Sequence, residues 1–360
     1  MSDCKLKVSS PGRICLFGEH QDYLNLDVIA SAISLRFVIE GQPRVDQQFF
    51  IDLPDIGEKE QFSAEGELPY LKPRDYLRSS VNILLRLGCR FDRGWDVRMH
   101  GEIPINAGTS SSSAMVVAWI KFLLEAAGRL ELAPTPETVA ELAYRAEVVE
   151  FKEPGGKMDH YTSALGGIVW IQFTPELTIT RLEIPLGTFV LGDSLEKKDT
   201  TGTLGSVRER VSRGLEMIKK ENPDFDLKKA TESEIVPLIK NFPPEIKNPL
   251  LGAVLNRDLT KEGLKLFQAK SFDHKEFGRL LREEQRILRD LVGISTSKID
   301  RMLQAAIAYG ALGGKINGSG GGGCMFAYAP ENPEAVARAV EAAGGKAYIV
   351  KVDSGLRVES

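Results

Sequence analysis

The 360-residue chain has only four cysteines and four histidines. Cys4, Cys15, Cys89 and Cys324 are scattered, with no C-x-x-C pair and no Cys/His cluster at zinc-ligand spacing. That excludes a disulfide scaffold or zinc module and predicts a reduced, cytoplasmic protein. Neither sign of charge dominates: 46 Lys and Arg face 50 Asp and Glu, a net charge of −4. Nothing there points to nucleic acid or an anionic membrane as partner. The start MSDCKLKVSS has no apolar core of a secretory signal. Long hydrophobic runs are missing too. The most apolar helical stretch, Met115 to Leu124, is broken by Lys121 and falls short of the roughly 20 residues that span a bilayer. What is present is a globular composition, 42% hydrophobic and 27% charged, at a length that predicts two domains. Glycine stands out: seven of the 34 fall within Gly313 to Gly323.

Residues 5–10 and 27–40 read as strands around a loop, Pro11 to Leu26. Periodicity predicts a helix over 75–87 and a strand over 95–100. A loop of small polar residues, Pro104 to Ser113, runs into a helix over 114–127. A second helix over 135–150 is entered through Thr-Pro. A turn, Phe151 to Lys157, precedes a short helix from Met158. Strands follow near 167–173, 177–184 and 188–193. The next part is helical: 204–220, 231–240, 260–271, 274–291 and 297–308. A strand (324–329), a helix (333–343) and a last strand (347–352) follow the glycine run. Strands and helices without regular alternation predict an α+β chain. The shift from strand-rich to helix-rich near 185–195 puts a domain boundary at 190/191, giving units 1–190 and 191–360.

Four constellations carry chemistry. Pro11 to Tyr23 packs Arg13, Glu19, His20 and Asp22 into ten residues. Such carboxylates can accept hydrogen bonds from sugar hydroxyls, and such an Arg can stabilise a transferring phosphoryl group. The segment also fits a solvated loop with charges at its tip. Pro104 to Ala114, with Gly108 and Ser110-Ser111-Ser112-Ser113, offers backbone N–H groups at a helix N-terminus to a phosphate and hydroxyl oxygens to Mg²⁺. It is not a Walker A loop, and one serine would be enough for a helix cap. Glu147 and Asp159, twelve residues apart around Pro154-Gly155-Gly156-Lys157, suit one metal ligand and one base. Taken singly they also read as an exposed helix face and a helix N-cap. Gly313 to Cys324 is a glycine turn between apolar segments, more than a free linker.

In this order the four motifs resemble the GHMP small-molecule kinases, and within them the galactokinase-like sugar kinases. Pro11 to Tyr23 resembles the sugar-kinase signature, Pro104 to Ser113 the ATP loop, Ala146 to His160 the segment that carries the base, and Lys315 to Cys324 the C-terminal glycine motif. Asp193-Ser194 with Val207-Arg208-Glu209-Arg210 resembles a further family stretch. The resemblance implies a domain like ribosomal protein S5 domain 2 followed by a ferredoxin-like domain. It implies ATP and Mg²⁺, with Ser112 and Glu147 as metal ligands and Gly108, Ser110, Ser111, Ser112 and Ser113 around the triphosphate. Gly318, Gly320 and Gly321 would form the turn supporting that loop. Asp159 would accept the proton of the attacking hydroxyl, beside Arg13. Glu19, His20, Asp22, Gly156 and Lys157 would face a monosaccharide, phosphorylated most simply at the anomeric hydroxyl.

The chain also departs from the family pattern. Gln21, Leu24-Asn25-Leu26, Asn106, Thr109, Gly155, Lys157 and His160 replace family residues. They leave the Arg, Glu and Asp chemistry intact and open the choice of sugar: an N-acetylhexosamine, a uronic acid and a pentose all remain. Lys157 either meets an anionic substituent or points away. A silent sugar and ATP sensor is the alternative outside the enzymes. Mevalonate kinases rank low on these motifs, because they carry Lys at the position of Arg13 and lack the G-E-H-x-D-Y pattern.

Overall fold

The computed structural model describes residues 5–197 and 200–359, without the side chains of 200 and 201. The chain opens with β1 (Leu6–Phe17) antiparallel to β2 (Val28–Pro43), then a hairpin of β3 (Gln48–Leu53) and β4 (Glu58–Ser63). Next come α1 (Tyr76–Arg86), β5 (Trp95–Gly101), α2 (Ser111–Ala126), α3 (Pro136–Tyr144), α4 (Met158–Leu165), β6 (Ile168–Gln172) and β7 (Thr178–Leu182). These strands share one sheet in the order β1-β2-β5-β3-β4, with β6 on β2 and β7 on β6. Among the described residues only β3 and β5 run parallel.

The second half holds β8 (Phe189–Asp193), α5 (Thr200–Glu221), α6 (Glu232–Leu238), α7 (Pro244–Phe267), α8 (His274–Ile287), α9 (Ser297–Ala308), β9 (Gly313–Ile316), β10 (Cys324–Tyr328), α10 (Pro333–Ala342), β11 (Lys346–Val350) and β12 (Arg357–Glu359). A second, antiparallel sheet runs β11-β8-β10-β9. β12 returns to the first sheet and pairs with the free side of β1. The α+β architecture is as expected. Among the described residues no helix is long and apolar enough to cross a membrane.

Burial explains the architecture. Val8 and Cys15 of β1 join the core under α1–α4, with Phe49, Trp119 and Phe122. Ile14, Leu16 and Phe17 join the other core, with Phe189, Phe277, Phe326 and Tyr328. A strand buried on both faces has no alternation to read. Pro11 to Phe17 was therefore expected as loop and is strand. Gly313 to Ile316, expected as part of a glycine turn, is strand β9, because its backbone ladders onto β10. The α7 helix begins sixteen residues before its expected start at 260. Pro249, Gly252, Asn256 and Asp258 blur its periodicity, but Pro244 sits in the first turn, where the missing N–H costs nothing. The β3–β4 hairpin was not anticipated.

Candidate active site

β1 meets the small-residue loop at Gly12 and Arg13. The Arg13 amide donates to the Thr109 carbonyl at 3.2 Å, and a Cβ on Gly12 would lie 2.9 Å from that oxygen. The β1–β2 register shifts between Pro11 and Arg13, where two steps along β1 face four along β2. Arg13 is buried. Its Nε and Nη2 reach Oδ1 of Asp159 at 2.8 and 2.7 Å, and its Nη1 reaches the Gly108 carbonyl at 2.5 Å. Both contacts to Asp159 fall on one oxygen, leaving Oδ2 for a hydroxyl. Burial works against the guanidinium charge, but Asp159 and Glu19 more than offset it and raise its pKa.

Asp159 lies in the first turn of α4, and Asp22 packs against the start of that helix. Oδ1 of Asp22 accepts from the Tyr23 amide at 2.9 Å and Oδ2 from the Met158 amide at 3.3 Å. Gly156 is glycine because a Cβ there would lie 2.1 Å from Oδ2 of Asp22. Burial, and then the charge of Asp159, push the Asp22 carboxyl up to about 6.

Glu147 lies on a π-helical turn, Arg145–Val149, that follows α3, an irregularity frequent at functional sites. Ser79 Oγ holds that turn through the Ala146 carbonyl at 2.8 Å. The Glu147 carboxylate is buried 2.7 Å from His160 Nε2. Burial opposes its charge, yet His160 and the hydroxyls of Ser112 and Ser113 hold it below the usual carboxylate range. The serine run forms the N-terminus of α2. Ser110, in left-handed geometry at φ 60°, is its cap residue, and its Oγ is buried without a hydrogen-bond partner. A buried hydroxyl with no partner, helix-end N–H groups and a carboxylate beside two hydroxyls fit a phosphate chain with a hard, oxygen-liganded cation.

These parts line one cleft. Of the expected residues, Arg13, Glu19, His20, Asp22, Gly108, Ser110, Ser111, Ser112, Ser113, Glu147, Gly156, Asp159 and Gly318 are in its wall. His20 and Glu19 are already partly committed. His20 Nε2 lies 3.0 Å from the Ser319 carbonyl and Nδ1 3.0 Å from the Tyr23 hydroxyl. A carbonyl only accepts, so Nε2 carries a proton and donates it to Ser319. Oε2 of Glu19 takes Lys315 Nζ at 3.0 Å.

Three expected residues are not there. Lys157 turns away: its ammonium pairs with Glu141 at 2.8 Å and lies 5.1 Å from the centre of the Tyr144 ring. Gly320 and Gly321 face the second half, where a Cβ would meet Ile294 at 2.5 Å and Thr203 at 3.1 Å. The close approach to the loop belongs to Gly318, at φ +80°, whose Cβ would lie 2.6 Å from the Gly108 carbonyl oxygen. Gly318→Ala is therefore expected to cost at least about tenfold in kcat/KM for ATP, with a smaller effect on thermal unfolding. An unchanged kcat/KM would remove Gly318 from the site.

Sequence reasoning missed Asn317, Lys315 and Glu284. Asn317 Nδ2 reaches the Gly108 carbonyl at 2.7 Å, and its Oδ1 accepts from the Cys15 amide at 2.8 Å. One side chain thus ties the glycine motif, β1 and the serine loop together. Asn317 and Lys315 lay inside a motif read only for its glycines. Arg74 and Glu153 also line the cleft, joined by two bonds of 2.8 and 3.1 Å.

Comparison with known proteins fits this geometry. Residues 75–167 match the GHMP kinases N terminal domain and residues 264–346 the GHMP kinases C terminal domain. Residues 3–43 match the galactokinase galactose-binding signature. A mevalonate kinase of Thermococcus sibiricus is 30% identical over 99% of this chain and 98% of its own. A galactokinase of Glaesserella parasuis is 26% identical over 92% of this chain and 88% of its own. Among solved structures, Lactococcus lactis galactokinase complexed with galactose superposes with a TM-score of 0.84 at 22% identity, covering 98% of this chain and 95% of that one. The Methanococcus jannaschii mevalonate kinase gives 0.74 at 18% identity, covering 98% and 99%. The low rank given to mevalonate kinases on motifs finds no support in overall identity. The two-domain kinase fold, the cleft and the matched segments together establish that this chain belongs to the GHMP kinase family, a family of ATP-dependent phosphotransferases, and that it carries the galactokinase-type signature at its N-terminus.

Proposed function

We propose that this chain transfers the γ-phosphoryl group of ATP to a monosaccharide hydroxyl, the anomeric one. The observation that carries this reading is Asp22 beside Asp159 and Arg13 in one cleft. Asp159 offers an oxygen to the attacking hydroxyl, and Asp22 offers a second acceptor, as a polyol needs. Gly108 and Ser110 to Ser113 receive the phosphates. Ser112 and Glu147 would hold Mg²⁺, which neutralises charge on the phosphoryl oxygens. The acceptor oxygen bonds to the γ-phosphorus as the bond to the β–γ bridging oxygen breaks. The proton passes to Asp159, and ADP leaves. Arg13 stabilises charge beside the reacting hydroxyl, and the walls supply positioning more than covalent chemistry.

The competing reading, phosphorylation of mevalonate, is favoured by the identity to mevalonate kinases. A coupled ADP-release assay separates the two, run with galactose, N-acetylhexosamines, uronic acids, pentoses and mevalonate, and with the product position read by NMR. Turnover with mevalonate and no sugar overturns the sugar reading. Binding of sugar and ATP without turnover makes the chain a sensor.

Asp22 adds a pH dependence. Its carboxyl titrates near 6, so it gains a proton and loses acceptor capacity as pH falls through that value. kcat/KM for the acceptor, which reports the free enzyme, is expected to fall below pH 6, with KM rising. Asp22→Asn should be weak at every pH and lose that limb. An unchanged limb in the variant would assign it to another group.

A further inference from the structure

Behind the acceptor end of the cleft lie three charged side chains with almost no solvent contact. Glu19 is 2% exposed, and Lys315 and Glu284 are 0% exposed. Lys315, on β9, donates to Oε2 of Glu19 at 3.0 Å and to the Ile316 carbonyl at 3.3 Å, and lies 3.6 Å from Oε1 of Glu284. Glu284, on α8, uses that same Oε1 to accept the amides of Gly18 and Glu19 at 3.1 and 3.2 Å. From α7, Asn256 Nδ2 takes the Glu19 carbonyl at 2.9 Å.

Burying three ions is expensive, and an apolar set of similar volume is often no less stable. The cluster has a clear local effect. It grips the chain where it leaves β1 and turns through left-handed geometry at Gly18, φ +92°, and His20, φ 62°. That turn presents His20 and Asp22 to the cleft. The burial that excludes water also lifts the Glu284 carboxyl to about 7; Lys315 opposes the rise and Glu19 adds to it.

We propose that Lys315 and Glu284 are positioning residues for the acceptor, holding the Gly18–Glu19 backbone and the Glu19 carboxylate so that His20 and Asp22 stand in register with it. This rests on the reading of that end of the cleft as the acceptor site. None of these polar contacts reaches the serine loop, so the effect is expected on the acceptor more than on ATP.

The test is steady-state kinetics with the acceptor that the substrate panel identifies, with binding of a non-hydrolysable ATP analogue measured by calorimetry on the same samples. Lys315→Met removes the cation that holds the Glu19 carboxylate and lies beside Glu284, and is expected to raise acceptor KM by about tenfold or more, with analogue affinity unchanged. Adding Glu284→Gln to Lys315→Met removes an ionisable carboxyl next to Glu19 and should recover part of the loss. Glu284→Gln alone keeps an oxygen for the two amides and should cost at most about threefold, whereas Glu284→Met removes it and should behave like Lys315→Met. If Lys315→Met does not fold, the contrast between Glu284→Gln and Glu284→Met decides. Equal acceptor KM in all variants, or matching losses for acceptor and ATP analogue, overturns the positioning role. A chain that phosphorylates no sugar overturns the proposed reaction instead.

Discussion

Asp159→Asn should lower kcat by roughly 10²- to 10⁴-fold and leave ATP binding close to that of the native chain. The substitution conserves shape. An amide oxygen can still receive the Arg13 guanidinium, which sits 2.7 and 2.8 Å from a single carboxylate oxygen. What is lost is the lone pair that takes the acceptor's proton, while the serine loop and Glu147 are untouched. Turnover and calorimetric ATP affinity, measured on the same preparation, separate the two effects. Native turnover in the variant would show that the proton leaves by another route.

Arg13→Lys is the second large effect, expected at roughly 10²- to 10³-fold in kcat. The charge is conserved but the geometry is not. Arg13 spans from Asp159 to the Gly108 carbonyl, bonding both at once. An ammonium is a compact point charge and cannot make both ends of that fork. Asn317 would still hold the Gly108 carbonyl, so the loop should keep its shape while Asp159 loses its partner. Near-native ATP affinity with depressed kcat would carry that interpretation. A parallel loss of ATP affinity would place Arg13 in loop support instead. The substitution also tests the motif-based expectation that lysine at this position goes with mevalonate as acceptor. A gain of mevalonate turnover in Arg13→Lys would tie the acceptor class to this one contact.

Arg13, Asp22, Glu147, Gly156 and Asp159, singled out by the family resemblance more than by their spacing alone, all line the one cleft. Lys157 belongs to one of the family motifs too, and of its two readings the structure holds the one that points away from the cleft. Residue type gives charge but not direction, and Glu141 with the Tyr144 ring outbid the cleft for the ammonium. The resemblance implies Gly320 and Gly321 as parts of the same supporting turn as Gly318. Only contact with the Gly108 backbone distinguishes the three, and that contact joins residues about two hundred positions apart. Lys315 and Glu19 are separated by 296 positions, and Glu284 lies on an ordinary-looking amphipathic helix. No local pattern announces a partnership at that range. The fold shows the same limit in places: Pro11 to Phe17, buried on both faces, reads as loop, whereas β8 and β10, equally buried, carry enough apolar length to read as strands.

The first sheet has its final edge supplied from the far end of the chain. Lys7, Val8 and Ser9 of β1 pair with Glu359, Val358 and Arg357 of β12. Arg36 of β2 is fastened to Asp353, Ser354 and Gly355 by bonds of 2.8, 3.0 and 2.7 Å. During synthesis the serine loop, Asp159 and the helices over that sheet emerge long before this strand does. Until it arrives, β1 shows an open ladder of backbone groups, the kind of template that recruits another chain. The half that carries the serine loop therefore stays unfinished on the ribosome through the making of the other half. The closing stitch is a contact of very high sequence separation, of the class that slows folding.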